Sequence, residues 1–164
     1  MLTANDIQNF LVAQAIAGEI LFLEVPTPTV QAAAEAVGAL PSQIVKSILF
    51  IIGEQPVLAI ACGTDRIDRR AIAGQFGVGR KRVKLAEADT VLRLAGYEVG
   101  AMPPFAHRQP LMTLLDRRVL EQPVVYAGGG AENALIRLSP TEILRITKAR
   151  VLDLINPDAS GTEE

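Results

Sequence analysis

The chain of 164 residues holds one cysteine, Cys62, and one histidine, His107. A single cysteine excludes an internal disulfide and suits a reducing compartment. One Cys and one His cannot assemble a zinc site of Cys/His type. His107 is the sole partner for a Ser/His or Cys/His pair, and neither G-x-S-x-G nor G-x-x-x-x-G-K-S/T occurs. Long hydrophobic runs are missing as well. Lys46 and Gly53-Glu54-Gln55-Pro56 interrupt the longest candidate, which falls short of the ~20 apolar residues a membrane span needs. The first ten residues, MLTANDIQNF, lack the basic stretch of a signal peptide. The net charge is only −2, so no global field draws the chain to nucleic acid, and any polyanion site must be local. These absences predict a cytoplasmic protein with no cofactor, no metal, no membrane contact and no DNA partner.

Apolar side chains are plentiful, at 49% of residues, which argues for a substantial core. The expectation is one domain over residues 1–155, with 156–164 as a flexible polar tail. Its centre is QIVKSILFIIGEQPVLAIAC, residues 43–62. Two apolar runs, Ile44 to Ile52 and Val57 to Ala61, flank Gly53-Glu54-Gln55-Pro56, predicting a β-hairpin with a loop longer than the tightest type. Side chains alternate across a strand, so Ile44, Lys46, Ile48, Phe50 and Ile52 share one face, and Val45, Ser47, Leu49 and Ile51 the other. Lys46 thus enters an otherwise apolar face. Either it snorkels to water from the strand mouth, or the face opens there into a cavity where an anion meets it.

Around the hairpin the pattern alternates. Thr3 caps a predicted helix over residues 3–18, with Asp6 in its first turn and Gly18 as its stop. Ile20 to Val25 reads as a strand. Thr29 caps an alanine-rich helix from Val30 to Val37, stopped by Gly38. Helices are also predicted over 68–76 and 87–94, and from the capping box Ser139-Pro140-Thr141-Glu142 to Lys148. Strands are expected at 97–99, 111–115, 123–127, 134–138 and 151–155. Strands outnumber helices and several connections are too short for crossovers. The predicted class is α+β, with a mixed, largely antiparallel sheet or partly open barrel flanked by helices. Between Asp65 and Lys84 lie seven basic residues, Arg66, Arg69, Arg70, Arg80, Lys81, Arg82 and Lys84, against two acidic ones. They form either a phosphate-contacting patch or a solvated face.

Thr29 with its alanine helix, Gln43-Ile44-Val45-Lys46-Ser47, Gly96-Tyr97 followed by Gly100 and Pro104-Phe105, Asp116, and Gly128-Gly129 stand in a particular order and spacing. In these the chain resembles the YbaK / prolyl-tRNA synthetase-associated editing domain over residues 20–155. The resemblance implies a free-standing trans-editing factor that hydrolyses the ester of mischarged tRNA, commonly tRNA for proline carrying alanine or cysteine. Its implied partners are the acceptor end of mischarged aminoacyl-tRNA and an aminoacyl-tRNA synthetase. It assigns Lys46 the role of the family's essential lysine, a point charge suited to an acceptor-end phosphate. Gly100 and Ala101 match the loop whose N–H groups bind the substrate carbonyl. Phe22, Thr27, Ile44, Ser47, Met102, Pro103, His107, Gly128 and Gly129 complete the expected substrate site, and the seven basic residues the expected tRNA surface. This chain has Ala101 where many relatives have a second glycine, and Pro103 where they have a small polar residue. It also has Ala127 and Ala134-Leu135 where some members carry a serine and an acidic residue. The competing readings are a non-catalytic aminoacyl-tRNA or synthetase accessory module, and a nucleotide-binding protein built on Lys46 and the glycine turns.

Overall fold

The computed structural model describes residues 1–155; the polar tail predicted for 156–164 lies outside the described residues. In chain order, helix α1 (Ala4–Ala13), strand β1 (Gly18–Phe22) and helix α2 (Val30–Val37) lead into the hairpin of β2 (Val45–Ile52) and β3 (Gln55–Cys62). Helix α3 (Arg69–Phe76), strand β4 (Val83–Leu85), helix α4 (Ala88–Ala95) and strand β5 (Met112–Asp116) follow. Strands β6 (Val125–Gly128) and β7 (Ala134–Leu138), helix α5 (Pro140–Thr147) and strand β8 (Arg150–Leu152) complete the order.

The strands divide into two sheets and do not close into a barrel. Antiparallel β1-β7-β6 form the smaller, and β4-β2-β3-β5-β8 the larger. In the larger sheet β2 runs antiparallel to β3 and β4, whereas β3-β5 and β5-β8 are parallel. The predicted α+β class with a mixed sheet is what forms. A parallel bridge from Ile44 to Tyr126 joins the two sheets ahead of β2.

Both faces of the central hairpin are buried, which explains why its sequence reads as a near-continuous apolar run. Val45, Leu49, Leu58 and Ile60 pack with Ile7, Tyr97, Phe105 and Ile136 on one side. Phe50, Val57, Ala59 and Ala61 pack with Ile67, Ile72 and Leu154 on the other. Burying a side chain such as Leu58 or Ile60, both fully buried, contributes about 2 kcal/mol. The alanines of α2 do what small residues allow: Ala33 and Ala34 bring the helix close to Ile44, Tyr126 and Leu135.

Local differences from the sequence expectations have identifiable causes. The hairpin turn is two residues, with Gly53 at φ 65 and Ile52 paired with Gln55. Pro56 fits inside β3, opposite Ile51, because pairing with β5 begins only at Val57. Helix α1 ends at Ala13, five residues before Gly18; Gln14 is its C-cap, Ala15 turns left-handed (φ 52), and Gly18 begins β1 instead. Residues 97–99 do not form a strand; Val99–Ala101 is a 3-10 turn and Tyr97 is buried. Ser139 does not close the expected capping box. Its hydroxyl lies 2.8 Å from that of Thr141, and Glu142 pairs with Arg145. The strand β4, hidden in the basic stretch, pairs with the end of β2.

Candidate functional site

A cavity of about 710 Å³ lies where β2, the start of α2, the β4–α4 junction and the turn at Val99–Ala101 meet. Its wall includes Thr27, Ile44, Lys46, Ser47, Gly100 and Met102. Six of the residues expected at the site from sequence are thus brought together. Phe22, Ala101, Pro103, His107, Gly128 and Gly129 are not part of this wall.

Lys46 stands one residue into β2, opposite Ala61, and is half-buried. Its Nζ donates to the backbone carbonyl of Asp65 at 2.6 Å, tying the β3–α3 loop to the strand. That loop is also held by the Gly63 N–H donating to Ile44 O at 3.0 Å and by the Arg118–Asp65 ion pair at 3.9 Å. Beside the lysine, Ser47 carries a buried hydroxyl with no hydrogen-bond partner among the described residues.

The opposite wall comes from residues 96–107, and most of this segment is supporting structure. The Tyr97 hydroxyl donates to Ala106 O at 2.7 Å, and Ala106 is held left-handed at φ 63. Burial raises the pKa of this phenol, keeping it a donor. Phe105 stacks on Phe10 with ring centroids 5.3 Å apart. Gly100 borders open space, since a Cβ there would meet nothing within 4 Å. The N–H of Ala101, expected to meet a substrate carbonyl, donates instead to Glu98 O at 3.0 Å. Its own carbonyl accepts from the Gly130 N–H at 3.0 Å. Among the described residues no backbone carbonyl takes the N–H of Gly100 or Met102, so the donors this loop offers flank Ala101.

Gly128 and Gly129 stand behind the loop. A Cβ at Gly128 would lie 2.2 Å from Met102 O, and one at Gly129 2.7 Å from the backbone of Ala134. These glycines are required by close backbone approach. His107 faces a separate hollow of about 670 Å³ between α1, the 104–111 segment and α5. Its Nε2 lies 2.8 Å from Pro103 O, and Tyr97 meets it edge-on. Burial lowers its pKa below the usual 6.5. Cys62, paired opposite Val45, has its thiol pushed up to about 11, by burial first and by Asp116 second. It is therefore protonated at neutral pH and a poor nucleophile. Asp116 is itself buried, its two oxygens accepting from the N–H groups of Arg118, Leu154 and Ile155 at 2.8–3.1 Å.

None of the seven basic residues lines the cavity, though two of their stretches adjoin its elements in sequence. Arg66 follows the carbonyl that holds Lys46, and Arg80–Lys84 runs directly into the wall residue Leu85. Arg66, Arg70, Lys81, Arg82 and Lys84 are exposed. Arg69 is engaged otherwise: its guanidinium lies 5.8 Å from the Phe50 ring centroid and donates to Val83 O at 3.3 Å. Arg70 pairs with the buried carboxylate of Asp68 at 3.3 Å. Of the wall residues that the sequence reading did not assign to the site, one is charged. Glu87, the N-cap of α4, lines the cavity, and its signal was only an acidic residue just before a helix start. Among the described residues no group of three His, Cys, Asp or Glu could hold a metal ion, and no helix is long and apolar enough to cross a membrane.

Comparison with known proteins agrees with this geometry. A solved structure described as a candidate trans-editing enzyme for prolyl tRNA synthetase superposes with a TM-score of 0.87 at 33% identity, covering 95% of this chain and 99% of that one. YwhH of Bacillus subtilis, a protein of uncharacterised function, is 28% identical over 134 residues, 81% of this chain and 83% of its own. The proline–tRNA ligase of a Thermoanaerobacter species is 26% identical over 113 residues, 66% of this chain but only 20% of the ligase. The family model for the aminoacyl-tRNA editing domain matches residues 24–146, a span that contains every element lining the cavity. The chain belongs to the aminoacyl-tRNA editing domain family.

Proposed function

We propose that the protein is a free-standing aminoacyl-tRNA deacylase that edits in trans, with tRNA for proline carrying a small amino acid such as alanine or cysteine as its substrate. The observation that carries this reading is the cavity itself, whose wall brings Lys46 and Ser47 of β2 together with Gly100 and Met102. A match along 99% of a structure described as trans-editing supports action apart from a synthetase.

The reaction is hydrolysis of the ester between an amino acid and the terminal ribose. Lys46 meets the phosphate or ribose end, and its charge positions and stabilises rather than attacks. The N–H groups of Gly100 and Met102 receive the charge developing on the ester carbonyl. As the family resemblance implies, the base is a substrate group, either the free ribose hydroxyl or the amino acid's own side chain; His107 and Cys62 are absent from the cavity wall. The exposed basic residues from Arg66 to Lys84 carry the acceptor stem toward the cavity.

The test is a deacylation panel with tRNA charged separately with alanine, cysteine, serine, threonine and proline. Rapid release of one small amino acid is expected, slowed about 100-fold or more in Lys46→Ala, the scale of losing one electrostatic stabiliser. Tight tRNA binding without hydrolysis of any ester would replace this reading with the accessory module.

A further inference from the structure

The cavity wall contains two ionisable side chains, the amine of Lys46 and the carboxylate of Glu87. The lysine has a place in the proposed reaction and the glutamate has none. Resting on the reading of the cavity as an aminoacyl-ester site, we infer that Glu87 recognises the α-ammonium group of the acyl moiety.

The polar inventory of the wall leaves the ammonium no other anionic partner. The Thr29 hydroxyl already accepts from the Ala32 N–H at 3.0 Å, and that of Thr27 lies 3.4 Å from Glu132 O. Ser47 is neutral, and the loop at Gly100–Met102 presents donors. Glu87 precedes α4 as its N-cap, yet its side chain makes no capping bond. Among the described residues its carboxylate makes no hydrogen bond or ion pair, so it is available to a ligand. The small neighbours Ala86 and Ala88, both in the wall, leave it unscreened. The amide dipoles at the start of α4 favour negative charge at this point.

Position agrees with charge. The Ala86 N–H donates to Leu49 O at 2.9 Å, pinning the residue before Glu87 to the strand that carries Lys46 three residues earlier. Three residues of strand separate the two anchors by about 10 Å at ~3.3 Å per residue. An aminoacyl nucleotide likewise separates its ammonium from its 5′ phosphate by an acyl carbon, an ester and a ribose. Opposite charges anchored about 10 Å apart along the strand therefore fix which way round the substrate lies.

Two probes test this by binding, independently of turnover: 3′-alanylamino-3′-deoxyadenosine 5′-phosphate, and its lactoyl counterpart with a hydroxyl in place of the ammonium. Wild type is expected to bind the alanyl probe at least tenfold more tightly. Glu87→Gln should bring the two affinities within twofold, whereas Lys46→Met should weaken both and keep their ratio. Equal affinities in wild type, an unchanged ratio in Glu87→Gln, or no binding of either probe would each overturn the inference. A preserved ratio without deacylation in the tRNA panel would instead remove the hydrolase reading and leave Glu87 as an ammonium site. Deacylation without the ratio would remove only the role of Glu87.

Discussion

The two walls of the cavity are built on different terms. Residues 45–49 belong to a strand buried on both faces, and Lys46 and Ser47 line the cavity from a strand already fixed by its apolar neighbours. Residues 96–107 have no sheet to hold them and are fastened instead by individual contacts: Tyr97 to Ala106, Phe105 to Phe10, Ala101 to Gly130. In the strand wall, three motif residues, Ile44, Lys46 and Ser47, line the cavity themselves. In the loop wall, motif residues such as Tyr97 and Phe105, and Gly128 behind them, hold the position of Gly100 and Met102. A residue can thus belong to a recognisable site motif without touching the ligand.

Substitutions separate the two roles, and the largest effects fall on support. Asp116→Ala should lower stability by about 4 kcal/mol, because three buried backbone N–H groups lose their acceptor; urea unfolding reads it. Gly128→Ala should cost about 3 kcal/mol through collision with Met102 O. Gly100→Ala at the open side of the same wall should stay within about 0.5 kcal/mol and change turnover alone. If the two glycine variants melt alike, the distinction between support and surface fails. Tyr97→Phe removes the bond to Ala106 and should cost about 1 kcal/mol.

The smallest effect is titration of His107. Its folded pKa lies below 6.5 because of burial, so the neutral ring is the form the fold favours. Its contribution to stability is present above pH 6.5 and is lost as the pH falls through the folded value. The melting temperature of wild type should fall with acidification below 6.5, and His107→Gln should flatten that part of the profile. A profile unchanged by the substitution would show that the ring is not held neutral by its surroundings.

Much of this was legible where a local rule dominates. Helix α2 begins after Thr29 and ends at Gly38 as expected, since the cap and the left-handed stop act over one turn each. The hairpin faces followed from alternation. The site's strand residues, Lys46 and Ser47, were legible only through the family resemblance, since alternation put them on opposite faces and left the role of Lys46 open. What failed depended on distant partners. Residues 97–99 look apolar enough for a strand, but Tyr97 is drawn into the core by its bond to Ala106. Strand β4 is short and basic, and only its pairing with Phe50–Ile52 makes it a strand. The parallel neighbour of β3, strand β5, comes from a segment over fifty residues further along the chain. Glu87 carried no motif; its place in the wall comes from the Ala86–Leu49 bond.

Strand β4 also has a bearing on the protein's solubility. It is an outer strand of the larger sheet, and its unpaired side is a template on which another chain could add a strand. Lys84 within it and Arg80, Lys81 and Arg82 just before it place like charge along that margin, where two copies approaching edge to edge would repel. The positive charges proposed to meet tRNA thus also keep copies of the protein apart. Replacing them together would expose the margin to self-association, and dynamic light scattering on such a variant should show particles larger than the wild type.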